Sequence, residues 1–189
     1  MAVQQRVYDV DDLWDLLSQL PDDSKDYESI DGVLIEMTPS GGEHGQLTIN
    51  LRYFLRAHCK ANNLGIVTAE TGYHPADDRQ MLLGPDIAFI SHERAPKPFP
   101  KRFVPVMPDL AVEIMSPSNT MRRIREKAQI YLTNGTTIVW IVLPAETSVE
   151  VCRLTQAGEI KREVFGPDNT LTAADVLPGF ALAPRQIFE

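Results

Sequence analysis

The feature that most constrains this chain is an acid set inside strand-like sequence. Pro108-Asp109-Leu110-Ala111-Val112-Glu113-Ile114-Met115-Ser116-Pro117 is apolar over most of its length, and Glu113 interrupts it. Strand side chains alternate, so Leu110, Val112 and Ile114 share one face and Ala111, Glu113 and Met115 the other. A second acid, Asp86, opens another apolar run, Pro85-Asp86-Ile87-Ala88-Phe89-Ile90. Carboxylates are almost never buried without a partner. Two that converge inside sheet sequence ask for a cation between them.

A lysine follows at a suitable distance. Ser118 or Asn119 caps a predicted helix that runs to about Thr133, with Gly135 as its stop. Ile124, Ala128, Tyr131 and Leu132 form its apolar face. Lys127 borders that face, so its stem can lie along the core while its ammonium reaches inward.

The other elements follow from periodicity and turn chemistry. Val10 to Leu20 reads as an amphipathic helix capped by Asp11 or Asp12 and ended by Pro21, with a polar linker to Asp26. Tyr27 to Met37 reads as a hairpin over Asp31-Gly32. Thr38 to Gly42 breaks the pattern. A second helix runs from His44 or Gly45 to Asn62, with Leu47, Leu51, Phe54, Leu55 and His58 at helical spacing. Leu64 to Tyr73 and Met81 to Ser91 read as strands. Five prolines make His92 to Pro108 a loop. Thr137 to Leu143 is nearly all apolar, as a strand covered on both faces would be. Val149 to Leu154 and Glu159 to Phe165 form a hairpin over Gln156-Ala157-Gly158. Leu171 to Glu189 contributes packing residues. The expected architecture is α/β (α+β): a mixed β-sheet flanked by helices, in one domain spanning 1–189.

Composition narrows the function. The formal net charge is -8, which argues against coating nucleic acid through bulk charge. Residues 94–127 nevertheless carry eight bases against three acids. A solvated basic face is the ordinary reading of that segment. The N-terminal Met1-Ala2-Val3-Gln4-Gln5-Arg6 lacks the pattern of a signal peptide, and no apolar run is long enough to span a bilayer. Cys59 and Cys152 stand far apart without a CxxC, so a cytoplasmic location is expected and a structural zinc site is not. There is no Walker A or Rossmann glycine run, hence no expected nucleotide cofactor, and Ser116 lies in no GxSxG elbow.

The acids and the lysine suit metal-assisted phosphodiester hydrolysis. Magnesium and manganese favour carboxylate and carbonyl oxygens, which Asp86, Glu113 and the backbone carbonyl of Ile114 can supply. Lys127 can orient a water or stabilise developing charge. Arg122, Arg123 and Arg125 can contact phosphates. His44, Glu70 and Tyr131 are candidates to support the ligands, and Glu36 and Glu43 are alternatives to Glu70 among which the sequence does not choose. Taken singly, Asp86 reads equally as a turn residue, Glu113 as an edge-strand side chain facing solvent, and Lys127 as a surface lysine.

The combination resembles the PD-(D/E)XK nuclease superfamily, specifically the Uma-two family of restriction endonucleases. The resemblance is carried by Tyr27-Glu28-Ser29-Ile30-Asp31-Gly32, Glu36-Met37-Thr38-Pro39, His44, Pro85-Asp86, Val112-Glu113-Ile114-Met115-Ser116-Pro117-Ser118, Lys127 with Tyr131, Gly135 and Trp140-Ile141-Val142, over residues about 8 to 187. It implies a restriction-endonuclease-like core with extra N-terminal and C-terminal hairpins, and a metal at Asp86 and Glu113. In the wider superfamily the lysine lies two residues after the second acid. Met115 holds that position here, so the resemblance moves the role to Lys127. Arg123 replaces an aspartate usual four residues before the helix lysine. Ile138 and Val139 replace acidic and aromatic residues before the tryptophan, and Leu143 replaces an aspartate before Pro144.

The expected activity is therefore Mg2+- or Mn2+-dependent cleavage of DNA by a homodimer. The rival readings are a nuclease fold that binds nucleic acid or protein without cutting, and a purely structural oligomer.

Overall fold

The computed structural model describes residues 7–19, 27–37, 39–117 and 119–189. Its centre is a six-stranded mixed sheet of β3 (Gly65–Ala69), β4 (Ile87–Ser91), β5 (Leu110–Ile114), β6 (Ile138–Leu143), β7 (Ser148–Leu154) and β8 (Ile160–Phe165), in that spatial order. Only β5 and β6 run parallel, which requires the crossover made by helix α3 (Met121–Thr133). Helix α1 (Val10–Gln19) and the hairpin β1 (Tyr27–Ile30) and β2 (Val33–Glu36) precede helix α2 (Gly42–Ala61). A second hairpin, β9 (Leu171–Ala173) and β10 (Leu177–Leu182), and the short helix α4 (Arg185–Phe188) close the chain.

Alternation in the central strands sorts the core into two layers. Leu110, Val112, Ile114, Trp140 and Val142 pack with Leu47, Leu51 and Leu55 of α2 and with the β9–β10 hairpin. Ala111, Val139 and Ile141 face the other way, onto Ile124, Ala128, Tyr131 and Leu132 of α3. Every residue of β6 is buried, as expected of a strand with a layer on each face. A small third cluster seats α1, through Val10 and Leu13, on Leu82.

The N-terminal hairpin turns at Asp31 and Gly32, both with positive φ (52 and 72°), the geometry that favours Asp-Gly. It is fixed to the rest of the chain by reciprocal main-chain bonds between Ser29 and Leu82, both 2.8 Å.

The boundaries depart from the sequence reading in several places. Helix α2 starts at Gly42, ahead of the expected His44 or Gly45. β3 ends at Ala69 because Glu70 takes a left-handed conformation, φ 49°; Tyr73 instead bridges Leu83 and Val104. β4 starts only at Ile87, since Pro85 has no N–H for a ladder. The cap of α3 is Thr120, whose side chain accepts from the Arg123 N–H at 3.3 Å. The chain after Leu171, expected only to contribute packing residues, forms a hairpin; its register shifts between Leu177 and Ala181, with Gly179 at φ 73°. The expected helix stop at Leu20 and Pro21, the linker to Asp26, the N-terminal segment to Arg6, Thr38 and the Ser118 cap lie outside the described residues. Among the described residues, no helix is long and apolar enough to cross a membrane.

Candidate active site

The site forms where β4 begins and β5 ends. Antiparallel pairing of these strands starts at Ile87 and Val112, so β5 runs two residues past the last pair. Asp86 fills the gap: its Oδ2 accepts the main-chain N–H of Ile114 at 2.6 Å. In extended backbone the N–H and C=O of one residue point to the same side. The Ile114 carbonyl therefore lies on the strand edge that faces Asp86. One residue earlier, the Glu113 side chain projects toward α3.

Glu113 is 7% exposed and fully engaged. The Lys127 Nζ lies 2.8 and 2.9 Å from its two carboxylate oxygens. The Tyr131 hydroxyl donates to Oε1 at 2.9 Å. Lys127 and Tyr131 are one helical turn apart, so α3 presents both to the same carboxylate. This is the edge-of-face placement expected for Lys127.

A third carboxylate completes the cluster, and sequence reasoning did not single it out. Glu28 of β1, 5% exposed, accepts from Lys127 Nζ at 2.7 Å and from the Gly84 N–H at 2.8 Å. It thus ties the N-terminal hairpin to the Gly84–Asp86 turn and to α3. The signal was faint: one acid in a four-residue strand, beside a turn that explained the segment by itself.

His44, in the first turn of α2, approaches Asp86 from the opposite layer, with its Nε2 3.1 Å from Oδ2. That hydrogen bond raises the imidazole above its ordinary value, outweighing burial. Burial pushes the Glu113 carboxyl up; the Lys127 ammonium pulls it back, Asp86 and Glu28 push it further, and it reaches about 8. Burial pulls the Lys127 ammonium down, but the charges of Glu113 and Glu28 prevail and hold it above its usual value. Burial, followed by Glu113, raises the Tyr131 hydroxyl well above the ordinary phenol. Three carboxyls thus face one ammonium and one imidazole.

The remaining predicted residues are not gathered here. Glu70 lies one residue past the Ala69–Ile87 pair, at the Asp86 end of the sheet, with its side chain exposed. Arg122 is solvent-exposed and pairs with Glu126 at 2.8 Å. Arg125, partly exposed, grips the buried Glu150 of β7 with two nitrogens. Arg123 borders a cleft of about 620 Å3 between the β1–β2 hairpin and α3, into which Glu28, Glu113 and Lys127 open. Among the described residues, no three His, Cys, Asp or Glu side chains are placed to hold a metal together.

Comparison with known proteins agrees with this architecture. A solved structure titled as a putative nuclease belonging to DUF820, from Anabaena variabilis ATCC 29413, superposes with a TM-score of 0.79 at 20% identity, covering 96% of this chain and 97% of that one. At that identity the likeness speaks for the fold alone. A search of the curated proteins finds no match. The family model Uma2, described as "Putative restriction endonuclease", matches residues 14–185. The chain belongs to the Uma2 family.

Proposed function

We propose that the protein is a divalent-metal-dependent endonuclease that hydrolyses phosphodiester bonds of DNA, working as a homodimer in the cytosol. The observation that carries the reading is the position of one ammonium, Lys127, between Glu113 and Glu28, with Asp86 bonded to the residue that follows Glu113. The cluster is rich in hard oxygen donors, which fits Mg2+ or Mn2+. Asp86, Glu113 and the Ile114 carbonyl would hold the ion. When bound, such an ion lowers the pKa of a water and neutralises charge on a phosphate.

The chain's own groups then have distinct tasks. Tyr131 fixes the orientation of Glu113 through its hydroxyl, and His44 does the same for Asp86. Glu28 holds Lys127 from the other side, so the ammonium can turn toward an incoming phosphate or water without losing its anchor. Arg123, at the rim of the cleft, meets the DNA backbone. Two copies acting together cut both strands of a duplex, since each chain brings one such cluster.

The test is nicking of supercoiled plasmid with Mg2+ or Mn2+. Wild-type protein nicks, and Glu113→Gln abolishes nicking while its circular dichroism stays that of the wild type. Salt-sensitive DNA binding without turnover by the wild type would instead establish a non-cutting binding module.

A further inference from the structure

The far edge of the main sheet carries a surface that fits a second copy of itself. Among the described residues, β8 pairs only with β7. Four of its six residues, Lys161, Arg162, Glu163 and Val164, are exposed. The Thr155 N–H donates to the Glu159 carbonyl at 2.8 Å, which sets the phase of the ladder. Lys161, Glu163 and Phe165 bond inward to β7, while Ile160, Arg162 and Val164 turn their main-chain groups outward. An open edge of this kind either is blocked by its side chains or pairs with another strand.

The side chains decide between these outcomes. In an antiparallel pair centred on Arg162, the outward-turned residues meet one another: Ile160 faces Val164 of the other copy, and Val164 faces Ile160. On the opposite face Lys161 meets Glu163, twice. Moving the centre one residue to either side would set lysine against lysine or glutamate against glutamate, each costly when directly opposed. The one like pair in the favoured register is Arg162 with its counterpart; it is tempered in part by Glu150, which Arg125 also binds and whose Oε1 lies 3.8 Å from the Arg162 Nε. The same register extends an exposed apolar row. Leu154, paired with Ile160, is 41% exposed and Val164 is 58% exposed, and each copy covers the other's.

We infer that β8 is the dimer interface: two copies join antiparallel about Arg162 through roughly six main-chain hydrogen bonds, making one continuous sheet across both subunits. The inference names the contact surface of the proposed homodimer. It does not depend on cleavage, because β8 lies at the opposite end of the strand order from β3 and β4, whose end bears Asp86.

Sedimentation velocity of the full chain at about 1 to 100 μM tests it, with plasmid nicking measured in parallel so that loss of the interface and loss of catalysis are read separately. Wild-type protein dimerises. Lys161→Glu and Glu163→Lys each weaken the dimer about tenfold or more. An equimolar mixture of the two variants recovers the wild-type dissociation constant within about threefold, because every crossing pair is again of opposite sign. Val164→Pro removes an outward N–H that β7 does not use, and yields a folded monomer by circular dichroism. A wild-type chain that stays monomeric at about 100 μM overturns the inference. So does a dimer indifferent to the charge reversals, or a mixture that fails to recover.

Discussion

Removing the ammonium should make the protein's stability depend steeply on pH. In Lys127→Met the stem is kept and the charge is lost. Oxygens of Glu113 and Glu28 each lie within 2.8 Å of the same nitrogen, so they are no more than about 5.5 Å apart. At an effective dielectric of about 20, two ionised carboxylates at that distance repel by about 3 kcal/mol. The Lys127 side chain is only 15% exposed, so water does little to relieve this, and breaking a buried pair costs about 3–5 kcal/mol. The cost falls on the ionised form. In the variant the Glu113 carboxyl rises further above the 4.5 of its unfolded form, from a starting point of about 8. The folded state then binds more protons than the unfolded one between those values, and stability falls as pH climbs through that window. Near pH 5 the variant should lie within about 1 kcal/mol of wild type. Above pH 9 it should be about 3 kcal/mol less stable, a drop in Tm of about 6–12 °C for a chain of this size. Thermal unfolding followed by circular dichroism at pH 5, 7 and 9 measures this. A gap that stays constant across the three, or no gap at pH 9, refutes the account of Lys127 as the internal counter-ion of the cluster.

Two further outcomes follow from the same residues. His44→Asn should lose about 1–2 kcal/mol at low pH. The raised imidazole contributes stability that is complete below its unfolded value of 6.5 and vanishes as pH rises through its folded value, so urea midpoints of variant and wild type should converge by about pH 9. Glu28→Gln keeps an acceptor for Gly84 and Lys127 but removes one charge that pushes Glu113 upward. Its nicking kcat should fall about 10-fold, its KM for DNA should change less than about twofold, and the acid limb of its pH profile should move to lower pH; an unmoved limb would mean that Glu28 only packs.

The fold was readable wherever one physical rule acted alone. The alternation of Leu110 to Met115 fixed which side Glu113 faces, and the unbroken apolar run of 138–143 marked the strand at the centre of the sheet. The spacing of Ile124, Ala128 and Tyr131 placed Lys127 at the border of its helix face. Legibility failed where two rules met. The segment from Leu171 was legible only as a source of packing residues, because Pro178-Gly179 interrupts strand alternation, yet a register shift accommodates both within β10. Arg125 looked like part of a free basic face, but the acid that binds it, Glu150, is 25 residues away on another strand. Glu28 escaped for the same reason: its partners are Gly84 and Lys127, and no local pattern in the hairpin refers to either.

The bond from the Ile114 N–H to Asp86 has a consequence for how knock-outs at this position are built. A side chain there stands in for the neighbour strand that β5 has outrun, so the carboxylate also serves as a splint for the main chain. Alanine at 86 would loosen the very segment that carries Glu113, and a dead enzyme would reveal little about chemistry. Asparagine keeps an oxygen for that N–H while discarding the charge, and is the replacement that separates scaffolding from reactivity.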